Sequence, residues 1–155
     1  ELDPTSEASY FDRGEVKIAL HDYIGAIADF KKSIELEPED LEAHYMKAMC
    51  NYHYGYEEVA LKEMKAIVEI NPNYSDAHHF IGLYYYEMDD FELALAEFDK
   101  LISLESKHAD SFYYRGLTKL DMGNRDGACA DWNIAAKELD DKESNHMYTK
   151  YCPTK

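Results

Sequence analysis

The chain has 155 residues, room for one domain of ordinary size and too few for two comfortable ones. With 32 acidic residues against 16 basic, its formal net charge is -16, which removes any whole-molecule attraction for DNA, RNA or anionic lipid. A hydrophobic content of 46% argues against disorder by composition, and no apolar run approaches the roughly 18 residues of a membrane span.

In chain order, residues 7–40 read as a helix carrying Gly14, a break at His21-Asp22, and a second helix carrying Ala26 and Phe30 that stops at Pro38. Residues 41–74 repeat the plan with Ala48, a break at Gly55, then Ala60, Met64 and Pro72. In residues 75–108, Ala77, Ile81, Gly82 and Tyr85 recur at helical spacing and Asp89-Asp90 breaks the run. Ala94, Phe98, Leu101 and Ile102 follow, and Ser106 stands in the proline register. Residues 109–142 give Gly116, a break at Gly123-Asn124, then Ala128, Trp132 and Asp140. Small residue, alanine, bulky apolar residue and stop share one period of 34 residues, the mark of a repeat architecture. Strand-like alternation is nowhere sustained, so the chain reads as all-α.

Period, small residue, alanine, aromatic and proline together resemble the tetratricopeptide repeat (TPR) over residues 7–142. The second unit matches more weakly, with His44, Lys47 and Asn51 where the family has large apolar residues. The resemblance implies one domain over 1–155, a right-handed superhelical solenoid of four helix-turn-helix units. The last unit, with Gly127-Ala128-Cys129-Ala130-Asp131-Trp132, is similar to the terminal repeat of bacterial envelope-associated TPR proteins. That likeness implies a capping helix over about 141–152 and a periplasmic or envelope location, with cytoplasm as the alternative.

Arg13, Lys47 and Arg115 stand in a column where the family favours Leu, and Lys17 and Lys119 in one where it favours Tyr. Asp29 and Asp131 lie 16 residues after the two arginines, opposite them in an antiparallel hairpin. Arg13–Lys17–Asp29 and Arg115–Lys119–Asp131 are therefore expected as largely buried ion clusters; in the third repeat Ile81 and Tyr85 replace the cations. Given the cap, Cys129 and Cys152 are about equidistant from a turn near 140–141. They are expected as neighbours, joined by a disulfide in an oxidising compartment, with Cys50 free.

No enzyme is expected. Cys50 and His53 have no third orienting group, and no phosphate loop, His-Glu-x-x-His or Gly-x-Ser-x-Gly occurs. No metal site and no cofactor are expected either. His78 and His79 point about 100° apart on a helix, three cysteines match no zinc spacing, and His44 and His78 share a packing column.

Removing the packing columns leaves a stripe on the first helices: Phe11, Tyr45, His79 and Tyr113, then Met49, Leu83 and Leu117, then Tyr52 and Tyr86. The resemblance implies that first helices line the concave groove where this family holds extended peptides or helices. The stripe is thus expected to bind protein, with Glu15, Glu42, Asp76, Glu87 and Asp110 as an acidic rim favouring ligands that are basic and apolar. Where some family members grip a chaperone's Glu-Glu-Val-Asp tail with Lys, Asn and Arg, this chain has Phe11, Glu15, Met46, Asp76 and Phe80, which excludes that ligand. The alternative reading is a scaffold subunit whose groove or edge is filled by its own copy or by a neighbouring domain.

Overall fold

The computed structural model describes residues 6–104 and 109–152; Ser106 lies outside them. Among the described residues every regular element is a helix: α1 (Glu7–Ala19), α2 (Tyr23–Leu36), α3 (Leu41–Tyr54), α4 (Glu57–Ile70), α5 (Ser75–Glu87), α6 (Phe91–Leu104), α7 (Ala109–Asp121), α8 (Arg125–Glu138) and α9 (Lys142–Tyr151). Helix contacts gather the chain into two compact units, Glu1–Pro72 and Asn73–Lys155. In the first, α1 packs on α2, α2 on α3 and α3 on α4. In the second, α5 to α9 pack in sequence in the same way.

The turn inside each repeat uses one backbone device. His21, Gly55, Asp89 and Gly123 stand 34 residues apart and all have positive φ, which reverses the chain after each first helix. The second helix is then started by a short polar side chain in the first and fourth repeats. Asp22 accepts from the Gly25 amide at 2.9 Å and Asn124 from the Gly127 amide at 3.0 Å.

The core is the repeat's own periodicity made solid. Ala26, Ala60, Ala94 and Ala128 are wholly buried, and so are Phe30, Met64, Phe98 and Trp132 one turn later. Gly14, Gly82 and Gly116 are small so that these rings can lie against the first helix. A Cβ on Gly14 or Gly82 would come within 2.8 Å of Phe30 or Phe98, and one on Gly116 would collide with the Trp132 indole. Trp132 is also fixed by its polar edge, donating from Nε1 to the Tyr113 carbonyl at 3.1 Å.

Candidate functional site

Each unit carries its polar anchors and its share of the stripe. In the first unit Asp29 is buried on α2 and receives both forks of Arg13, Nε at 2.8 Å and a terminal nitrogen at 2.6 Å, with Lys17 Nζ at 2.7 Å. Arg13 above all, then Lys17, holds the Asp29 carboxyl below its usual pKa against the opposing effect of burial. The expectation that Arg13 is largely buried is corrected. Its side chain is 53% exposed although its guanidinium is held by Asp29, which is itself buried.

The second unit closes the same cluster. Asp131 is buried on α8 and takes Arg115 at 2.9 and 2.5 Å and Lys119 at 2.8 Å. Arg115 also donates to Asp99 of α6 at 2.6 Å and is only 16% exposed. Burial opposes its charge, but Asp131 and Asp99 outweigh that and raise the guanidinium's pKa.

The acid column extends further than the two aspartates picked out from sequence. Glu63, in the same register on α4, meets Lys47 at 2.9 Å and accepts from Asn51 at 2.9 Å. Glu97, in that register on α6, meets His78 Nδ1 at 2.6 Å. With Ile81 and Tyr85 in the cation positions, the third repeat thus uses a histidine from a neighbouring column. The signal was present as acids at 29, 63, 97 and 131, with the period of the repeat.

The stripe residues are neither sunk in the core nor fully wet. In the first unit Phe11, Tyr45, Met49 and Tyr52 are half-buried and Glu15 and Glu42 exposed. Phe11 sets its edge against the Phe30 ring at 5.3 Å, so part of it belongs to the core. It also floors a pocket of about 220 Å³ whose other walls are Glu7, Ala8, Asp12, Asp40 and Glu42.

In the second unit His79, Leu83 and Tyr86 of α5 and Tyr113 and Leu117 of α7 are half-buried, while Asp76, Glu87 and Asp110 are exposed. Sequence reasoning missed the ring that organises them. Tyr114 of α7 lies 6.0 Å from His79 and 6.4 Å from Tyr86, and stacks on Phe98 at 6.0 Å. Burial, then Tyr113, Asp110 and Glu87, raise its pKa, so it stays a neutral phenol. Tyr86 donates to Asp121 at 2.8 Å, and burial first, then that bond, pushes its pKa well up. Tyr113 and Leu117 lean on the buried group of Ala128, Trp132 and Cys152. That group includes the cap: Cys129 and Cys152 are bonded through sulfur with Cα atoms 5.7 Å apart, fastening α9 to α8.

This is chemistry for holding rather than for reacting. The free thiol, Cys50, is buried, and burial pushes its pKa up to about 11, far from a nucleophile's range. Half-buried rings beside exposed carboxylates supply apolar contact and negative potential to whatever lies against them.

Two family models match the chain, both described as tetratricopeptide repeat, one over residues 9–75 and the other over 75–108. None of the curated proteins compared with the chain matches it. Among solved structures the chain resembles MamA, at 23% identity and TM-score 0.78 over 96% of this chain and 84% of that one. It resembles YrrB, described as a TPR protein with an unusual peptide-binding site, at 24% identity and TM-score 0.77 over 95% and 76%. A third, the thermophilic TPR protein TTC0263 from Thermus thermophilus, shares 23% identity with TM-score 0.73 over 94% and 81%. At these identities the likeness is one of fold, the all-α class of the TPR solenoids.

Proposed function

We propose, from the premise that this chain belongs to the tetratricopeptide repeat family across residues 9–108 and is a protein-interaction module rather than an enzyme, that its first helices hold an extended peptide or an amphipathic helix. The observation that carries this reading is the half-buried state of the whole stripe beside carboxylates that are all exposed. Core residues would be covered, and idle surface would not gather this much aromatic area. Each unit offers its own portion: Tyr45, Met49 and Tyr52 with the Phe11 pocket in the first, and His79, Leu83, Tyr86, Tyr113 and Leu117 in the second.

The acidic rim favours a ligand with Lys or Arg beside its apolar anchors, so affinity falls as salt rises. YrrB's peptide-binding site makes a peptide the natural first ligand to try. The Cys129–Cys152 pair fits an oxidising compartment such as a bacterial envelope.

The test starts from capture of partners out of envelope and cytoplasmic fractions, followed by calorimetry on the purified partner. Tyr45→Ala and Tyr86→Ala are each expected to weaken binding by about 1–2 kcal/mol while leaving the fold intact. Tyr86→Phe, which keeps the ring and drops the Asp121 bond, is expected to bind nearly as well. If both alanine variants bind as tightly as the parent, the stripe is not the site. Light scattering across concentrations separates a peptide receptor from the alternative, a subunit occupied by its own copy.

A further inference from the structure

The second unit contains a helix that is bonded covalently to its neighbour. α9 packs on α8 as α3 packs on α2 and α7 on α6, and its Ser144 is as deeply buried as Ser111 on α7. Taken alone it is a poor helix. Its ten residues fall short of the about 12–15 that hold together in water, and Ser144, Asn145, His146 and Thr149 are weak helix formers. Asp141 caps its start, accepting from the Ser144 amide at 2.7 Å, and Cys152 turns extended at its end, ahead of Pro153.

Besides an exposed bond from Arg125 to the Tyr151 carbonyl, α9 is held by one buried group. Ala128, Trp132 and Cys152 form that group, and Met147, Tyr148 and Tyr151 of α9 pack against it. Tyr113, Leu117 and Leu120 of α7 pack against it too. Trp132 donates to the Tyr113 carbonyl, and the Tyr113 ring sets its edge on Tyr114 at 5.2 Å. Two stripe residues of this unit therefore stand on the group that the disulfide closes. The corresponding group of the first unit, Ala26, Phe30 and Cys50, has Cys50 as a free thiol.

We infer that Cys129–Cys152 is a redox switch on the stripe. Oxidised, it holds α9 against Trp132 and so sets Tyr113 and Leu117 for binding; reduced, it releases α9, and this portion of the stripe loses its support. The inference rests on the reading of the stripe as a binding surface. The reductant is a dithiol. Its thiolate attacks Cys129 Sγ, since Cys129 is half-buried and Cys152 buried, and Cys152 Sγ departs as a thiolate that takes up a proton. The second thiol of the reductant then attacks the mixed disulfide and frees Cys129, leaving the reductant oxidised by two electrons to a disulfide. Release of α9 leaves α8 in place, because Trp132 still lies against Gly116 and Asp131 still holds Arg115 and Lys119. By linkage, whatever binds the clamped stripe resists its reduction by the same factor.

Trp132 is the chain's one tryptophan, so its emission reads the cap directly. Dithiothreitol should free the two bonded thiols, shift that emission to the red and raise its quenching by acrylamide, with the helix signal in circular dichroism largely kept. Oxidised glutathione should reverse these changes. Cys152→Ser should show the released emission from the start and ignore dithiothreitol. The binding probe is a fluorescein-labelled amphipathic peptide of Leu and Lys, followed by anisotropy. Reduction should weaken its binding about fivefold, and saturating peptide should shift the reduction equilibrium by the same factor. Tyr45→Ala should cost the same in both redox states, whereas Tyr113→Ala should cost less after reduction. Unchanged Trp132 emission with both thiols freed overturns the switch, and so does loss of the helix signal, which would make the disulfide a support of the whole unit. Equal affinity in the two redox states, with Tyr45→Ala and Tyr113→Ala both weakening the peptide, overturns the switch and leaves the stripe reading standing. A peptide that fails to bind, or whose binding ignores both variants, removes the stripe reading and the switch with it.

Discussion

Asp29 in the first unit and Asp131 in the second hold the same two cations at the same spacings, Arg sixteen residues earlier and Lys twelve. Solvent reaches them differently. Asp99 extends from α6 to the far side of Arg115, whereas Arg13 is left half in water. The strength of such a cluster is therefore set by the helix that covers it more than by its own residues. Coulomb attraction is weakened by water on every open side. The second unit is fastened again at its end by a disulfide that the first lacks.

Removing the acids should expose this contrast most strongly. Asp131→Ala leaves Arg115 with Asp99 alone and takes from Lys119 the carboxylate it meets at 2.8 Å, and should lower unfolding stability in urea by about 3 kcal/mol. Asp29→Ala should cost distinctly less, because Arg13 can turn to solvent; equal losses would mean that cover is irrelevant. Next comes the staple. Cys152→Ser opens a loop of sequence separation 23, and should lower stability by about 3 kcal/mol, with hydrogen exchange speeding up in α9 before α7 and α8.

Glycine substitution sharpens the comparison further. Gly116→Ala drives a methyl into Trp132, which its bond to Tyr113 keeps in place, and should cost about 2–3 kcal/mol. Gly14→Ala meets the Phe30 ring, which has no such tether, and should cost less in the same melts. The smallest effect is in pH. The Asp29 carboxyl has its pKa lowered by folding, so its stabilisation is fully present above the usual carboxylate range. It is lost as pH falls through the folded value. An acid titration of the parent should therefore lose stability that Asp29→Asn never had, the two curves converging at the acid end.

Much of this was legible in the sequence because the period of 34 multiplies every signal by four. Helix pairs, turn positions and the small-residue and bulky-residue columns recur in every repeat, and the Arg–Asp pair in two of them, so each could be checked against its copies. What escaped was whatever broke the period. Glu97 finds His78 because Ile81 and Tyr85 removed its cations, and a substitute from another column cannot be found by reading down one. Asp99 reaches Arg115 across a repeat boundary, which pairing within single hairpins does not see. Tyr114 stands in the register of Met46 and Phe80, and only packing shows it meeting His79, Tyr86 and Phe98 together. The half-buried state of the stripe was likewise beyond pattern alone. Periodicity tells which face a side chain takes, and its neighbours decide how much of it stays wet.

Cys50 gives the molecule a built-in clock. With Cys129 and Cys152 joined, it is the single free thiol, sealed in the group that binds α2 to α3. A thiol so placed is alkylated while those helices are apart, so labelling under native conditions reports their opening equilibrium at low reagent and their opening rate once reagent outpaces reclosing. Because burial also suppresses its thiolate, reaction in the closed state is negligible, and the trace reports separation of the first two repeats without any engineered label.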